Sequence, residues 1–172
     1  MPKTIVALLG LALAGGSASA AMLAPGEQFP AWSLTDDRGQ TVSSQDLAGK
    51  TYLLWYYPKA MSSGCTKEGC TLRDNFDGFR KANVEVFGVS YDSPKSNAEF
   101  VAKYGFPFRL LSDSDHALAK KVGADGVMGI MARRISYLIG PDGKVIKAYD
   151  DVQPAMHAQQ VLDDLAAMAK GR

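Results

Sequence analysis

Two uninterrupted runs of β-branched and aromatic residues, TYLLWYY at Thr51–Tyr57 and VEVFGVSY at Val84–Tyr91, leave a chain like this few ways to fold. Neither alternates polar with apolar, so each is predicted to be a strand buried on both faces, in a sheet with cover on either side. Pro58 ends the first run. From about Thr66 to Lys81, Leu72, Phe76 and Phe79 recur at helical spacing. Ser93 followed by Pro94 opens a second helix in the favoured order of cap and first residue, and Gly105 stops it. A short strand within FPFRLLSD and a helix in DHALAKKVG come next. ISYLIGPDGKVIKAYDD reads as a hairpin turning at Pro141-Asp142-Gly143. A last amphipathic helix, about Met156 to Ala169, carries Val161, Leu165 and Met168 on one face for packing. Upstream, short strands flank a turn at Asp37-Arg38-Gly39. This order predicts an α/β domain, a mixed central β-sheet flanked by helices.

The chain has 172 residues, 47% of them hydrophobic, and a formal net charge of +1. That is enough for a single well-filled core, and it lacks the basic excess of a nucleic-acid binder. The first residues read differently. MPKTIVALLGLALAGGSASAAM has a lysine at position 3, an apolar run from Ile5 to Ala14 and the small-x-small pattern Ala18-Ser19-Ala20. These are the marks of a secretory signal peptide, residues 1–20, cleaved at Ala20 or Ala21 to leave a domain over residues 21–172. The run is shorter than the roughly 20 residues that span a bilayer, and no cysteine sits at the cleavage point to take a lipid. The expected location is the periplasm or outside the cell, with no stable membrane association after cleavage.

In an oxidising compartment two cysteines usually form a structural disulfide. Here they are Cys65 and Cys70, within YYPKAMSSGCTKEGCTLRD. Cys65 follows a strand and precedes a helical pattern, so it falls in or at the first helical turn, where unpaired N–H groups and the helix dipole favour a thiolate. Gly64 permits close approach beside it. On one regular helix, residues five apart have Cα atoms roughly 8.7 Å apart and point about 140° apart, whereas a disulfide needs about 7 Å or less. A permanent bond would have to break the helix, and a transient one would need local unwinding. The spacing C-x4-C is not the C-x2-C of dithiol exchangers. His116 and His157 are scattered, poor material for a zinc site or a cysteine-hydrolase base, and both are expected on exposed helical faces.

The segment YPKAMSSGCTKEGCTLRD resembles the active-site region of the PrxQ (bacterioferritin comigratory protein) class of peroxiredoxins, through the pattern P-x-x-x-(T/S)-x-x-C at Pro58, Ser62 and Cys65. GVSYDSPKSNAEFVAKYGFPFRLLSD and RRISYLIGPDGKVIKAYDDV resemble further family segments in the expected order, so the likeness runs from about Pro25 to the final helix. It implies a thioredoxin-like fold and a thiol peroxidase without cofactor or metal, acting on hydrogen peroxide and organic hydroperoxides, recycled by a thioredoxin-like protein and commonly monomeric. It also implies roles. Cys65 is the peroxidatic cysteine that becomes a sulfenic acid, and Cys70 is the resolving cysteine that closes an intramolecular disulfide. Ser62 orients the peroxide, Pro58 shields the sulfenate, Arg134 stabilises charge at the sulfur and the peroxide, and Glu68 helps hold that arginine. Arg133 competes with Arg134 for the inward position, because neighbours on a strand face opposite sides. Glu68 has an alternative as a solvated residue that complements the helix dipole.

The chain departs from the class in having Ser62-Ser63 for the usual Thr-Pro, Asn97 for a frequent histidine, and Gly140 for an aspartate, the last expected to be structural. Two other functions fit the residues. One is a thiol–disulfide oxidoreductase acting on proteins, and the other is a non-enzymatic thioredoxin-fold protein with a constitutive disulfide. Acidity alone would not make a peroxidase. Lowering a cysteine's pKa from about 8.5 to about 6 raises its thiolate fraction at pH 7 only about 30-fold, worth about 2 kcal/mol. Most of the acceleration has to come from groups placed around the transition state.

Overall fold

The computed structural model describes residues 20–171, and the leader expected at residues 1–20 lies outside them apart from Ala20. The two buried runs form β3 (Thr51–Tyr56) and β4 (Val84–Ser90), which pair in parallel at the centre of a seven-stranded sheet. β5 (Arg109–Ser112) continues the parallel part beside β4. β6 (Ile135–Ile139) lies antiparallel to β3 on the other side, and its hairpin partner β7 (Val145–Tyr149) forms that edge. β1 (Ser33–Asp36) and β2 (Thr41–Ser43) complete the opposite edge, giving the order β2-β1-β5-β4-β3-β6-β7. The expected mixed sheet is therefore present.

Period-two geometry divides the apolar runs between two cores. Leu54, Tyr56, Phe87, Val89 and Tyr137 face one layer, with α4 (Ala117–Lys121) packed over it. Leu53, Trp55, Tyr57, Val86 and Leu138 face the other, under α1 (Ser63–Asp74) and α5 (His157–Lys170). Val161 is fully buried on α5, and Leu165 and Met168 pack against the same core as expected. α3 (Pro94–Tyr104) begins with Ser93 accepting from Ser96 N–H and ends at Gly105, whose φ of 65° lies in the left-handed region.

One expected helix is two. The segment read as continuous from about Thr66 starts earlier, at Ser63, and breaks at Asn75 before α2 (Phe76–Lys81). Asn75 has φ −102° and ψ 9°, and its side-chain amide donates to the Thr71 carbonyl at 2.9 Å. Its own carbonyl accepts from Gly78 N–H at 2.9 Å, starting the next turn. Helical spacing of Leu72, Phe76 and Phe79 survives the break because the kink costs less than one turn, so the apolar pattern alone does not reveal it.

Candidate active site

Both cysteines sit on α1, where β3 hands the chain over at the carboxyl ends of the parallel strands, the end at which open α/β sheets bind ligands. Ser62 takes the N-cap position with extended backbone, φ −68° and ψ 151°, and no side chain caps the helix. The Ser62 hydroxyl donates instead to the Lys59 carbonyl at 2.9 Å. The N–H groups of the first turn, including that of Cys65, point toward the sulfur end of the helix without an intrahelical partner. Cys65 is fully buried, Cys70 is half-buried, and neither is bonded to another cysteine. On this intact helix they are held apart as the spacing argument required.

Arg134, just before β6, is the inward arginine. Its Nη2 lies 3.4 Å from Cys65 Sγ, and its Nη1 is ion-paired with Glu68 Oε2. Arg133 turns the other way and donates to the Gly123 carbonyl at 2.7 Å. Gly64 makes room for the guanidinium, since a Cβ there would lie 3.0 Å from Arg134 Nη2. Glu68 is not solvated. It is fully buried, and burial pushes its carboxyl up to about 7, against the pull of Arg134 and the indole of Trp55. A depression of about 390 Å³ brings solvent to Pro58 and Arg134, with Met131, Ala132 and Asp150 on its walls. A cavity of about 800 Å³ beside Lys50, Arg80 and Arg109 opens at the far ends of β3 and β4 and is unconnected with the sulfur.

Two supporting contacts around the site escape a reading of the sequence. Asp92, buried after β4, accepts from Ala60 N–H at 2.8 Å and Ser90 Oγ at 3.1 Å and pairs with Lys59, which fixes the loop between Pro58 and Ser62. An aspartate beside a helix-opening serine carries no sign of burial in the chain itself. Asn97, in the histidine position, is buried and accepts from Tyr57 Oη at 2.7 Å, tying α3 to the strand that leads into the site.

The expectation that both histidines lie on exposed faces is corrected. His157 is fully buried, with Nε2 2.9 Å from Ser136 Oγ and 4.0 Å from Glu68 Oε1. It sits four residues before Val161, so the apolar stripe of α5 already included it. Burial and the charge of Arg134 hold its imidazole down to about 4, so at neutral pH it is uncharged and forms no ion pair with Glu68. His116 is half-buried and stacks on Tyr91 with ring centres 3.6 Å apart.

Residues 25–148 match the model of the AhpC/TSA family. The chain is 40% identical over 147 residues to peroxiredoxin Bcp of Escherichia coli, covering 82% of this chain and 94% of that one. Among solved structures, a cysteine-to-serine mutant of Xylella fastidiosa PrxQ superimposes with a TM-score of 0.80 at 30% identity, over 87% of this chain and 99% of that one. The bacterioferritin comigratory protein of Xanthomonas campestris, described for its alkyl peroxide reduction activity, gives a TM-score of 0.76 at 33% identity, over 87% and 99% of the two chains. The chain belongs to the AhpC/TSA family, with the thioredoxin-like peroxiredoxin fold. Within that family its relatives are the Bcp and Q peroxiredoxins, and the enzyme is accordingly a peroxiredoxin, a thiol peroxidase.

Proposed function

We propose that Cys65 is the nucleophile of this peroxidase and Cys70 its resolver. The Cys65 thiolate attacks the terminal oxygen of a hydroperoxide. The O–O bond breaks, Cys65 becomes the sulfenic acid, and the alkoxide or hydroxide takes a proton and leaves. Arg134 and the free N–H groups at the start of α1 bind the charge that develops on the oxygens. Ser62 orients the peroxide, Pro58 shields the sulfenate, and Glu68 anchors Arg134. The Cys70 thiol then attacks the sulfenic sulfur, releasing water and forming the disulfide, and a dithiol donor of thioredoxin type reduces it. The observation that carries this reading is the single guanidinium shared between Cys65 Sγ and Glu68 on the same helix.

Both thiols belong to one chain, so the cycle needs no second subunit, and we take the working form as a monomer. The substrate range includes organic hydroperoxides as well as hydrogen peroxide, in line with the activity named for the Xanthomonas relative. The leader pattern at residues 1–20 supports export to the periplasm or beyond, where the donor would be a thioredoxin-like protein of that compartment.

Stopped-flow mixing of the reduced protein with hydrogen peroxide, beside Cys65→Ser and Cys70→Ser, tests the reading. The expected result is oxidation far faster than that of free cysteine, abolished in Cys65→Ser, with a trappable sulfenic acid accumulating in Cys70→Ser. Thiols that react no faster than free cysteine would sink it. That outcome would leave protein disulfide exchange or a structural bond as the role of the pair.

A further inference from the structure

Beneath the sulfur lies a buried polar cluster whose hydrogen bonds do not add up. Arg134 satisfies Glu68 Oε2, but Glu68 Oε1 has no hydrogen-bond partner. Trp55 Nε1 and His157 Nδ1 are likewise buried without a partner at hydrogen-bond distance, although the Trp55 indole lies near enough to favour the Glu68 charge. Glu68, His157 and Ser136 are all fully excluded from solvent. An ionised carboxylate with one bare oxygen in such a place is costly. The imidazole arrives from α5, the carboxylate from α1, the serine from β6, and Nε2 stands 4.0 Å from the bare oxygen while contacting Ser136 Oγ at 2.9 Å.

We propose that His157, held by Ser136, is a positioning residue for the peroxidatic centre: its Nε2–H, 4.0 Å from Glu68 Oε1 and beyond direct hydrogen-bond reach, supports the carboxylate electrostatically, so that Glu68 holds Arg134 on Cys65. This rests on the assignment of Cys65 and Arg134 above. The neutral ring has one proton to place. On Nε2 it faces both Ser136 Oγ and Glu68 Oε1, and Nδ1 remains an unpartnered acceptor. On Nδ1 it would have no acceptor at hydrogen-bond distance, only the weak pull of Gln160, and Nε2 would accept from Ser136 Oγ–H while turning its lone pair toward a carboxylate. The first tautomer is the one the charges favour.

The other groups around the ring are consistent with a neutral, donating imidazole. Arg134 opposes protonation electrostatically, Tyr149 meets the ring edge-on at 5.3 Å, and Gln160 on the next turn acts weakly the other way. Among the described residues Glu68 is the carboxylate that lies 4.0 Å from the ring, and burial raises that carboxyl to about 7. Losing the Nε2–H would favour protonated Glu68 and loosen Arg134. Peroxide reduction should suffer more than the fold.

The test has two parts. In the native reduced protein, imidazole nitrogen shifts read by NMR should show Nε2 protonated at pH 7, and an Nδ1–H ring would overturn the proposal without any substitution. In the second part, the rate constant for peroxide oxidation is measured across pH for His157→Phe, His157→Gln, Glu68→Gln and His157→Phe/Glu68→Gln. His157→Phe, which keeps an aromatic body but no donor, should be roughly 10- to 100-fold slower. Its rise with pH should be displaced upward, and His157→Gln, with an amide donor, should recover most of the loss. In the Glu68→Gln background the same change should have little further effect, because the two act in series. Independent, multiplying losses, or an unshifted pH profile in His157→Phe, would refute the positioning role. Failure of the underlying peroxidase reading is separately visible, since the unsubstituted protein would then itself be slow.

Discussion

Removing Arg134 should make stability depend on pH in a window where the parent does not. Glu68 is fully buried and its carboxyl titrates near 7 in the fold, against an ordinary value of 4.5, because desolvation outweighs the attraction of Arg134. The folded state therefore binds the Glu68 proton more tightly than the unfolded chain. This group costs nothing below about pH 4.5, erodes stability as pH rises toward 7, and has no further effect once ionised in both states. Arg134→Met keeps the apolar stem but removes the attraction, so the carboxyl must titrate higher still. Erosion then continues above pH 7, at up to about 1.4 kcal/mol per pH unit. The assay is urea unfolding of Arg134→Met and its parent at pH 7, 7.75 and 8.5. Both carry Cys65→Ser and Cys70→Ser, so that no thiol titrates. His157 stays neutral throughout this range. The difference between the two proteins should widen by roughly 1–2 kcal/mol from pH 7 to 8.5. A difference that is constant with pH would mean that Arg134 does not hold the Glu68 charge, and the electrostatic account of the site would fail with it.

Trp55 packs against α1, with its ring 3.1 Å from the Cβ that Gly69 lacks, while Trp32 belongs to the opposite core. The fluorescence change expected from the proposed Cys65–Cys70 disulfide should persist in Trp32→Phe and vanish in Trp55→Phe, as stopped-flow traces would show. Asp92→Ala strands the Ala60 N–H and the Ser90 hydroxyl. It should cost about 1–3 kcal/mol in urea unfolding and slow peroxide oxidation by about tenfold or more through the displaced Pro58–Ser62 loop. Gly88→Ala would set a Cβ 2.4 Å from Leu110 Cδ2 and 3.0 Å from Tyr57 Cε1. Overpacking of about 1–3 kcal/mol should lower Tm by roughly 3–10 °C in calorimetry.

Much of the candidate site was legible because its residues are local. Pro58, Ser62, Cys65, Glu68 and Cys70 lie within one strand-to-helix passage, where order along the chain is nearly order in space. The helix that keeps the cysteines apart, the buried strands and the Pro141-Asp142-Gly143 hairpin follow from periodicity and turn chemistry, which are properties of neighbours. The choice between Arg133 and Arg134 needed the family resemblance, since alternation says only that the two part ways. Asn75 split one helix into two without disturbing the apolar spacing, so the pattern concealed it.

What the chain alone determines is the pair of cysteines, proposed above as nucleophile and resolver, and the helical frame that separates them. The tertiary structure alone decides which distant groups surround them. Arg134 reaches Cys65 across 69 positions and Glu68 across 66 because β6 pairs with β3. His157 comes to Glu68 only because α5 folds back over α1. Burial is the physical reason these could not be read in advance. A glutamate on a helix or a histidine on an amphipathic face looks solvated until the packing of other elements removes the water. That same removal raises the carboxyl, lowers the imidazole and makes their hydrogen bonds matter.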